Sequence, residues 1–114
     1  HERPPTVEVR TVEEVAASSL VADVVVSTIP ASAQGPELLA AVSAVPVVFE
    51  VLYDPWPTPL ADAAASAGHT LFTGLDLLVA QAVNQVVAMT GRFDAPVGAM
   101  RRAAEDELAA RSRA

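Results

Sequence analysis

Short runs of β-branched apolar residues alternate with helix-forming stretches along this chain, and this alternation restricts its fold more than any other feature. Two runs are almost continuously apolar, as is typical of strands buried on both faces: Ala22–Ile29 and Pro46–Tyr53. Shorter strands are predicted at Thr6–Arg10, where apolar and polar residues alternate, and at His69–Thr73. Strands separated by helices in this order predict an α/β fold with a parallel sheet and right-handed crossovers.

Capping residues and prolines mark where the helices should begin: Thr11 and Thr58 are expected caps, and Pro36 and Pro59 suit the first turn of a helix. Predicted helices cover residues 12–20, 36–43, 59–67 and 74–90, and a last helix follows Pro96 with Glu–Arg pairs on a solvated face. The helix at 74–90 follows its strand at once, because Thr73 and Asp76 have the spacing of a capping box. Gly91 suits the left-handed residue that closes a helix.

Small or polar residues stand where three of the predicted strands end. Ser27 and Thr28 end the first apolar run, and Gly74 follows the last strand. Tyr53 ends the second run, directly before the loop Asp54–Pro59, whose alternate prolines exclude regular helix or central strand. Because ligands bind beyond the carboxyl ends of the strands in open parallel sheets, we expect a binding site where these ends meet.

One face of the long helix has an unusual combination of residues. Gly74 and Gln81 are seven residues apart and therefore share a face, with Leu77 and Leu78 between them. A glycine would let a ligand approach the backbone, and the glutamine is a lone amide in an apolar stripe. The alternative is a core helix whose amide reaches solvent or a neighbouring carbonyl, since apolar stripes at helical spacing usually mark a core.

The composition argues against several classes of function. The net charge is −7 and there is no lysine, so the clustered cations that bind a nucleic-acid backbone are missing. The lack of cysteine removes thiolate zinc sites and cysteine nucleophiles and fits a cytoplasmic protein. No apolar run reaches the roughly 18 to 20 residues of a membrane span. We therefore expect no nucleic-acid partner, no membrane and no metal.

Two motifs in the second half of the chain resemble those of shikimate dehydrogenases. The family's Tyr-x-Pro-x-x-Thr-Pro-Leu element is matched by Tyr53, Pro55, Thr58, Pro59 and Leu60. Its Gly-Leu-x-Met-Leu-Val-x-Gln-Ala element is matched by Gly74, Leu75, Leu78, Val79, Gln81 and Ala82, with Leu77 in place of the usual Met. Glu50 stands where the family commonly has Asp. The resemblance extends from about Ala22 to Met100.

This resemblance implies a function, a cofactor and a set of site residues. The family reduces 3-dehydroshikimate to shikimate with NADPH, which makes NADP the expected cofactor. By resemblance, Tyr53 and Gln81 would bind the substrate. The residues expected at the cofactor are Val51, Gly74, Leu77 and Thr28. The implied fold is the second half of a Rossmann-like doubly wound parallel sheet, with helices on both faces and further helices at the C-terminus.

The resemblance also implies that residues 1–114 are a single partial domain. The family's catalytic Lys and Asp, its substrate domain and its glycine-rich turn would precede this chain, so the isolated chain is expected to be inactive. In the strand order 3-2-1-4-5-6, two further strands would lie between Thr6–Arg10 and residues 22–29. Because a bare apolar edge invites pairing, we expect a homodimer or a strand-swapped assembly through residues 22–29, or a non-native placement of residues 1–21.

Two other interpretations are compatible with these residues. The chain would be a non-enzymatic module derived from a dinucleotide-binding fold and completed by another chain. Alternatively, it would belong to a dehydrogenase that acts on quinate or amino-shikimate, because the contacts that separate these substrates would lie before residue 1.

Overall fold

A computed structural model describes residues 2–114, in which helices and three short strands alternate. The elements, in chain order, are α1 (Val12–Ala16), β1 (Val24–Ser27), a 3₁₀ turn (Ala31–Ala33), α2 (Pro36–Ala41), β2 (Val47–Glu50), α3 (Pro59–Ser66), β3 (Thr70–Thr73), α4 (Gly74–Thr90) and α5 (Val97–Arg113). The strands form one parallel sheet in the order β1-β2-β3. The predicted α/β class with a parallel sheet is therefore confirmed.

Side-chain caps fix most of the helix starts that the sequence predicts. The Thr11 hydroxyl accepts a hydrogen bond from the Glu14 amide at 3.1 Å, and the Glu14 carboxylate accepts one from the Thr11 amide at 2.7 Å. Thr58 caps α3 by accepting from the Ala61 amide at 3.2 Å. Gly91 ends α4 with φ 69°, a left-handed conformation that costs glycine little.

The core lies on one face of the sheet, under α2 and α3. Its buried residues are Val42, Val45, Val48, Leu60 and Ala64, with partly buried Leu20, Ala22, Val25, Leu39 and Leu71 packed around them. Val25, Val48 and Leu71 are the strand residues among them; the register pairs them in one row, so they lie on the same face of the sheet. The core therefore holds α3 and the carboxyl ends of the strands in fixed relative positions.

The opposite face of the sheet is incompletely covered. Val24, Val26 and Phe72 on this face keep 50%, 56% and 51% of their surface exposed. Val26, Phe49 and Phe72 form one row across the three strands, because the register pairs them in that order. We call the four residues Val24, Val26, Phe49 and Phe72 the open face. The expected cover of helices on both faces is thus only partial, and Ala22–Ile29 is not buried on both faces as predicted.

The prediction of a strand at Thr6–Arg10 is wrong. These residues form no ladder, and Val7 and Val9 are 80% and 90% exposed. An extended segment without a partner strand has no hydrogen bonds to replace those with water, so alternation of apolar and polar residues alone does not make a strand. The helix predicted over 12–20 also ends early, at Ala16.

The last helix has the predicted solvated face with a Glu–Arg pair, but no side chain caps its N-terminus. α5 begins after Pro96, whose side chain offers no cap. Its exposed face contains the expected Glu–Arg pair, Glu107 and Arg111, at 2.9 Å with i,i+4 spacing. An exposed pair of this kind contributes little stability, on the order of 0.5 kcal/mol or less.

Candidate functional site

The carboxyl ends of the three strands lie side by side, as the sequence predicts. Ser27, Glu50 and Thr73 are the last residues of β1, β2 and β3, and the register pairs them in one row. The contact continues one residue further, because the Val51 amide donates to the Ser27 carbonyl at 3.0 Å. The strand ends therefore form a single edge, which is where open parallel sheets bind ligands.

Gly74 has no room for a side chain. A methyl group built on its Cα would overlap the carbonyl oxygen of Val51 and would lie 2.7 Å from Cδ1 of Tyr53. The sequence predicts that this glycine admits a ligand to the backbone, but the space on its Cβ side is filled by the chain itself. Gly74 therefore lets the first turn of α4 pack directly on the segment that follows β2, and this packing brings Val51, Tyr53 and Gly74 together.

Tyr53 is half-buried and faces two parts of the structure. Its ring lies against Gly74. It also lines a cavity of about 230 Å³ between the proline loop and α5; the other lining residues are Trp56, Thr73, Leu75, Asp76, Arg101, Glu105 and Leu108. A phenol in this position keeps its ring packed while its hydroxyl remains available to a polar partner.

The remaining predicted site residues lie further apart. Leu77 is 39% exposed and Gln81 is exposed, so the α4 face they share is not part of the core. Gln81 lies two helical turns from Gly74, roughly 10 Å along the axis. Thr28 is exposed just beyond β1 and lines a different cavity, of about 280 Å³, next to the segment around Thr11. The structure thus brings Val51, Tyr53 and Gly74 into contact, and it does not bring Thr28, Leu77 or Gln81 into this group.

Asp76 is the carboxylate at this edge that connects α4 with α5. Its Oδ2 accepts from the Thr73 amide at 2.8 Å and from the Thr73 hydroxyl at 3.1 Å, while its Oδ1 pairs with Arg101 at 2.8 Å. Partial burial acts to raise the pKa of Asp76, but the Thr73 amide, the Arg101 guanidinium and the Thr73 hydroxyl together hold the pKa below its ordinary value. Asp76 therefore both caps α4 and ties it to α5.

A buried polar cluster lies directly beneath the edge, and the sequence predicts little of it. Glu50 is completely buried, and Gln34, Thr58 and Ser27 are 5%, 1% and 7% exposed. Gln34 Nε2 donates to Glu50 Oε2 at 2.8 Å, and Thr58 Oγ1 donates to the same oxygen at 2.8 Å. The sequence predicts Thr58 as a helix cap and as a motif residue, not as a partner of Glu50. It does not reveal Gln34, because a single glutamine in a small-residue loop has no distinguishing pattern.

Residues 2–114 contain neither a candidate metal site nor a helix that could span a membrane. No group of three or more His, Asp or Glu side chains in this part of the chain could hold a metal ion. None of the helices described is both long and apolar enough to cross a membrane.

The fold and the edge together define a class: part of an open parallel α/β sheet with its polar residues gathered at the strand ends. Comparison with known proteins narrows this class. A family model described as the shikimate 5'-dehydrogenase C-terminal domain matches residues 74–105. The Gly74–Ala82 motif lies within this match.

Similar proteins agree with the family model. A curated shikimate dehydrogenase (NADP(+)) of Synechococcus sp. (strain JA-2-3B'a(2-13)) is 40% identical over 73 residues, which cover 64% of this chain and 25% of that protein. The protein of the same name from Synechococcus sp. (strain JA-3-3Ab) is 40% identical over 62 residues, covering 54% of this chain and 21% of that protein. The chain thus spans about a quarter of the length of the curated relatives it matches.

Solved structures give the same result for the fold. The shikimate dehydrogenase of Mycobacterium tuberculosis superposes with a TM-score of 0.64 at 43% identity, over 83% of this chain and 34% of that one. A shikimate 5-dehydrogenase of Mycobacterium fortuitum gives 0.62 at 46% identity, over 82% and 32%. In sequence and in fold, the chain therefore matches the C-terminal portion of shikimate dehydrogenases.

Proposed function

We propose that this chain is the C-terminal part of an NADP-dependent shikimate dehydrogenase, which reduces 3-dehydroshikimate to shikimate with NADPH. The observation that supports this most is the contact of Tyr53 and the Val51 carbonyl with Gly74. It joins the family's two motifs at the edge of the sheet where ligands bind. The similarity to named shikimate dehydrogenases at 40% to 46% identity supports the same function.

In this proposal the substrate is held by Tyr53 and Gln81. A phenol and a neutral amide are both able to donate and to accept, so they suit the hydroxyl groups of a polyhydroxylated acid. Tyr53 is anchored by its packing on Gly74, whereas Gln81 extends from an exposed helix face. The two side chains would approach the substrate from different parts of the fold, the segment after β2 and α4, and so fix its orientation.

The proposed cofactor residues fit only one end of a dinucleotide. Val51 and Gly74 offer backbone, Leu77 offers an exposed apolar side chain, and Thr28 offers a hydroxyl beyond β1. Such groups suit the flat nicotinamide ring, which supplies the hydride when NADPH is bound. The chain has no glycine-rich phosphate-binding sequence, so the phosphates would be held by groups outside it.

We further propose that residues 1–114 are part of one domain, and that the catalytic residues are supplied from outside this chain. The test is NADPH oxidation with 3-dehydroshikimate, measured for the protein that contains this chain and for the isolated chain. Turnover is expected for the first and none for the second. Turnover by the isolated chain would contradict the partial-domain proposal, and its absence from the containing protein would favour a non-enzymatic module. Activity only with quinate or amino-shikimate derivatives would instead support a related dehydrogenase.

For the isolated chain we propose self-association through residues 22–29, as a homodimer or a strand-swapped assembly. β1 is an edge strand in the sheet order, and its neighbour on the open side is missing from the residues described. The unpaired segment Thr6–Arg10, with its exposed Val7 and Val9, provides a candidate strand for a second copy. A cytoplasmic location is also proposed, supported only by the lack of cysteine.

A further inference from the structure

The loop between β2 and α3 carries two of the aromatic side chains at the edge, and its two ends meet at one carboxylate. We call residues 51–58 the strand-end loop. Glu50 precedes it and is completely buried. Glu50 Oε1 accepts from the Leu52 amide at 3.3 Å, near the start of the loop, and Oε2 accepts from the Thr58 hydroxyl at 2.8 Å, at its end.

Gln34 extends the same connection to α3. Its Nε2 donates to Glu50 Oε2 at 2.8 Å, and its Oε1 accepts from the Leu60 amide at 2.9 Å in the first turn of α3. The Thr58 hydroxyl also accepts from the Ala61 amide in that turn. The carboxylate is therefore linked, through two neutral side chains, to the first turn of the helix, whose partial positive charge favours an anion nearby.

Glu50 has no ion-pair partner among residues 2–114, and the chain contains no lysine. A buried carboxylate is costly unless its oxygens accept hydrogen bonds. Here three donors satisfy it, and no buried side-chain nitrogen or oxygen in residues 2–114 lacks a partner. The hydrogen bonds that offset this cost indicate that Glu50 holds the three donors in place.

We propose that Glu50 is a positioning residue that fixes both ends of the strand-end loop and so keeps Tyr53 packed against Gly74. Fixing a loop at two points reduces the number of conformations available to it, and hydrogen bonds to a carboxylate are stronger than neutral ones. The relevance of this role to substrate binding rests on the proposed function, but the effect on the loop does not.

The substitution Glu50→Gln tests this role with little change of shape. Its amide oxygen can occupy the position of Oε2 and keep the hydrogen bonds from Gln34 and Thr58. Its NH₂ group would then face the Leu52 amide, and two donors cannot bond to each other. The substitution therefore releases the start of the loop selectively. Glu37→Gln, on the exposed surface of α2, is the control with the same change of charge.

The readout is amide hydrogen exchange, measured by mass spectrometry on the protein that contains this chain. For Glu50→Gln we expect the Leu52 amide to exchange about tenfold faster, the factor for loss of one hydrogen bond of ordinary strength. Amides of the core residues Val45 and Val48 should change little, and Glu37→Gln should match the wild type. Unchanged exchange at Leu52, or an equal increase at Leu52 and in the core, would overturn the proposal.

A second pair of variants decides the question if Glu50→Gln does not fold. Thr58→Ser keeps the hydroxyl that donates to Glu50, whereas Thr58→Val removes it. Faster exchange across residues 52–58 in Thr58→Val and not in Thr58→Ser supports the role, and equal exchange in the two variants contradicts it. These measurements need neither substrate nor cofactor. A protein that is inactive but shows the expected exchange pattern would therefore refute the proposed function and still support the role of Glu50.

Discussion

Gly74 and Gln34 show two ways in which the sequence fails to predict the role of a residue. For Gly74 it identifies the position but not the reason, and for Gln34 it identifies neither. The second of the two family motifs singles out Gly74 from the sequence, but it implies contact with a ligand. The structure shows that a larger residue at position 74 would overlap the Val51 carbonyl and the Tyr53 ring of the same chain. Gln34 connects β1, β2 and α3 through three different partners, and nothing in its local sequence signals this, because those partners are between 7 and 26 residues away.

Gly74→Ala should destabilise the fold, because its methyl group would overlap the Val51 carbonyl oxygen. We expect a loss of about 3 kcal/mol in the free energy of unfolding, at the upper end for overpacked sites, measured by urea denaturation.

The control is Gly98→Ala, whose methyl group would meet only the flexible end of Arg102 at 3.4 Å. Since alanine favours helix, this change should be neutral or stabilising by up to about 1 kcal/mol. Equal stability for the two variants would show that the contact at Gly74 relaxes without cost.

At the scale of elements, helix starts are more predictable than strand lengths. Thr11, Thr58 and Thr73 cap the helices that their spacing predicts, since a cap is a local interaction within four residues. Each predicted strand is shorter or absent in the structure, because a strand exists only where a neighbouring strand supplies hydrogen bonds. Thr6–Arg10 has the right pattern and no such neighbour, so its failure as a strand could not be foreseen from its own residues.

The start of α4 gives a prediction of pH dependence. The folded-state pKa of Asp76 is lowered against the unfolded value, so its stabilising effect is present at neutral pH and is lost as the pH falls below about 4. Asp76→Asn should therefore lower the free energy of unfolding at pH 7 by about 1 kcal/mol, a typical value for a cap. The variant should also lose less stability than the wild type as the pH falls.

The measurement is the free energy of unfolding across this pH range, with Asp106→Asn as control. Asp106 is exposed on α5, and its substitution removes the same charge. A pH profile for Asp76→Asn as steep as that of the wild type would contradict the stabilising role of the Thr73 and Arg101 contacts.

As a whole molecule, the chain is more extended than its length requires. Its radius of gyration is 17.0 Å, against about 13 Å for a compact domain of this size. The residues Val24, Val26 and Phe72 of the open face keep about half of their surface in solvent. A surface of this kind is usually covered by a partner in soluble proteins, which supports the proposed association of the isolated chain.

The edge of β1 offers a selective test of that association. The Ser27 carbonyl faces β2, because it accepts from Val51, and the alternation along a strand therefore turns the backbone of Val26 to the open edge. Val26→Pro removes a donor at that edge but none from the β1–β2 ladder. In sedimentation, the wild-type chain should self-associate and Val26→Pro should shift toward monomer by about tenfold in dissociation constant.

Val26→Ala separates the two contributions to this interface, since it keeps the donor and removes most of the apolar side chain. We expect it to associate more tightly than Val26→Pro. A wild-type chain that stays monomeric at all concentrations tested would refute the association.

The most direct test of the central claim is the effect of Tyr53→Phe and Gln81→Ala on NADPH-dependent reduction of 3-dehydroshikimate by the protein that contains this chain. If both side chains bind the substrate, each substitution should lower kcat/KM by about tenfold, the cost of one lost hydrogen bond. Gln85→Ala, an exposed amide one turn further along α4, should leave kcat/KM unchanged. The same kcat/KM for wild type, Tyr53→Phe and Gln81→Ala would contradict the claim that this edge of the sheet binds the substrate.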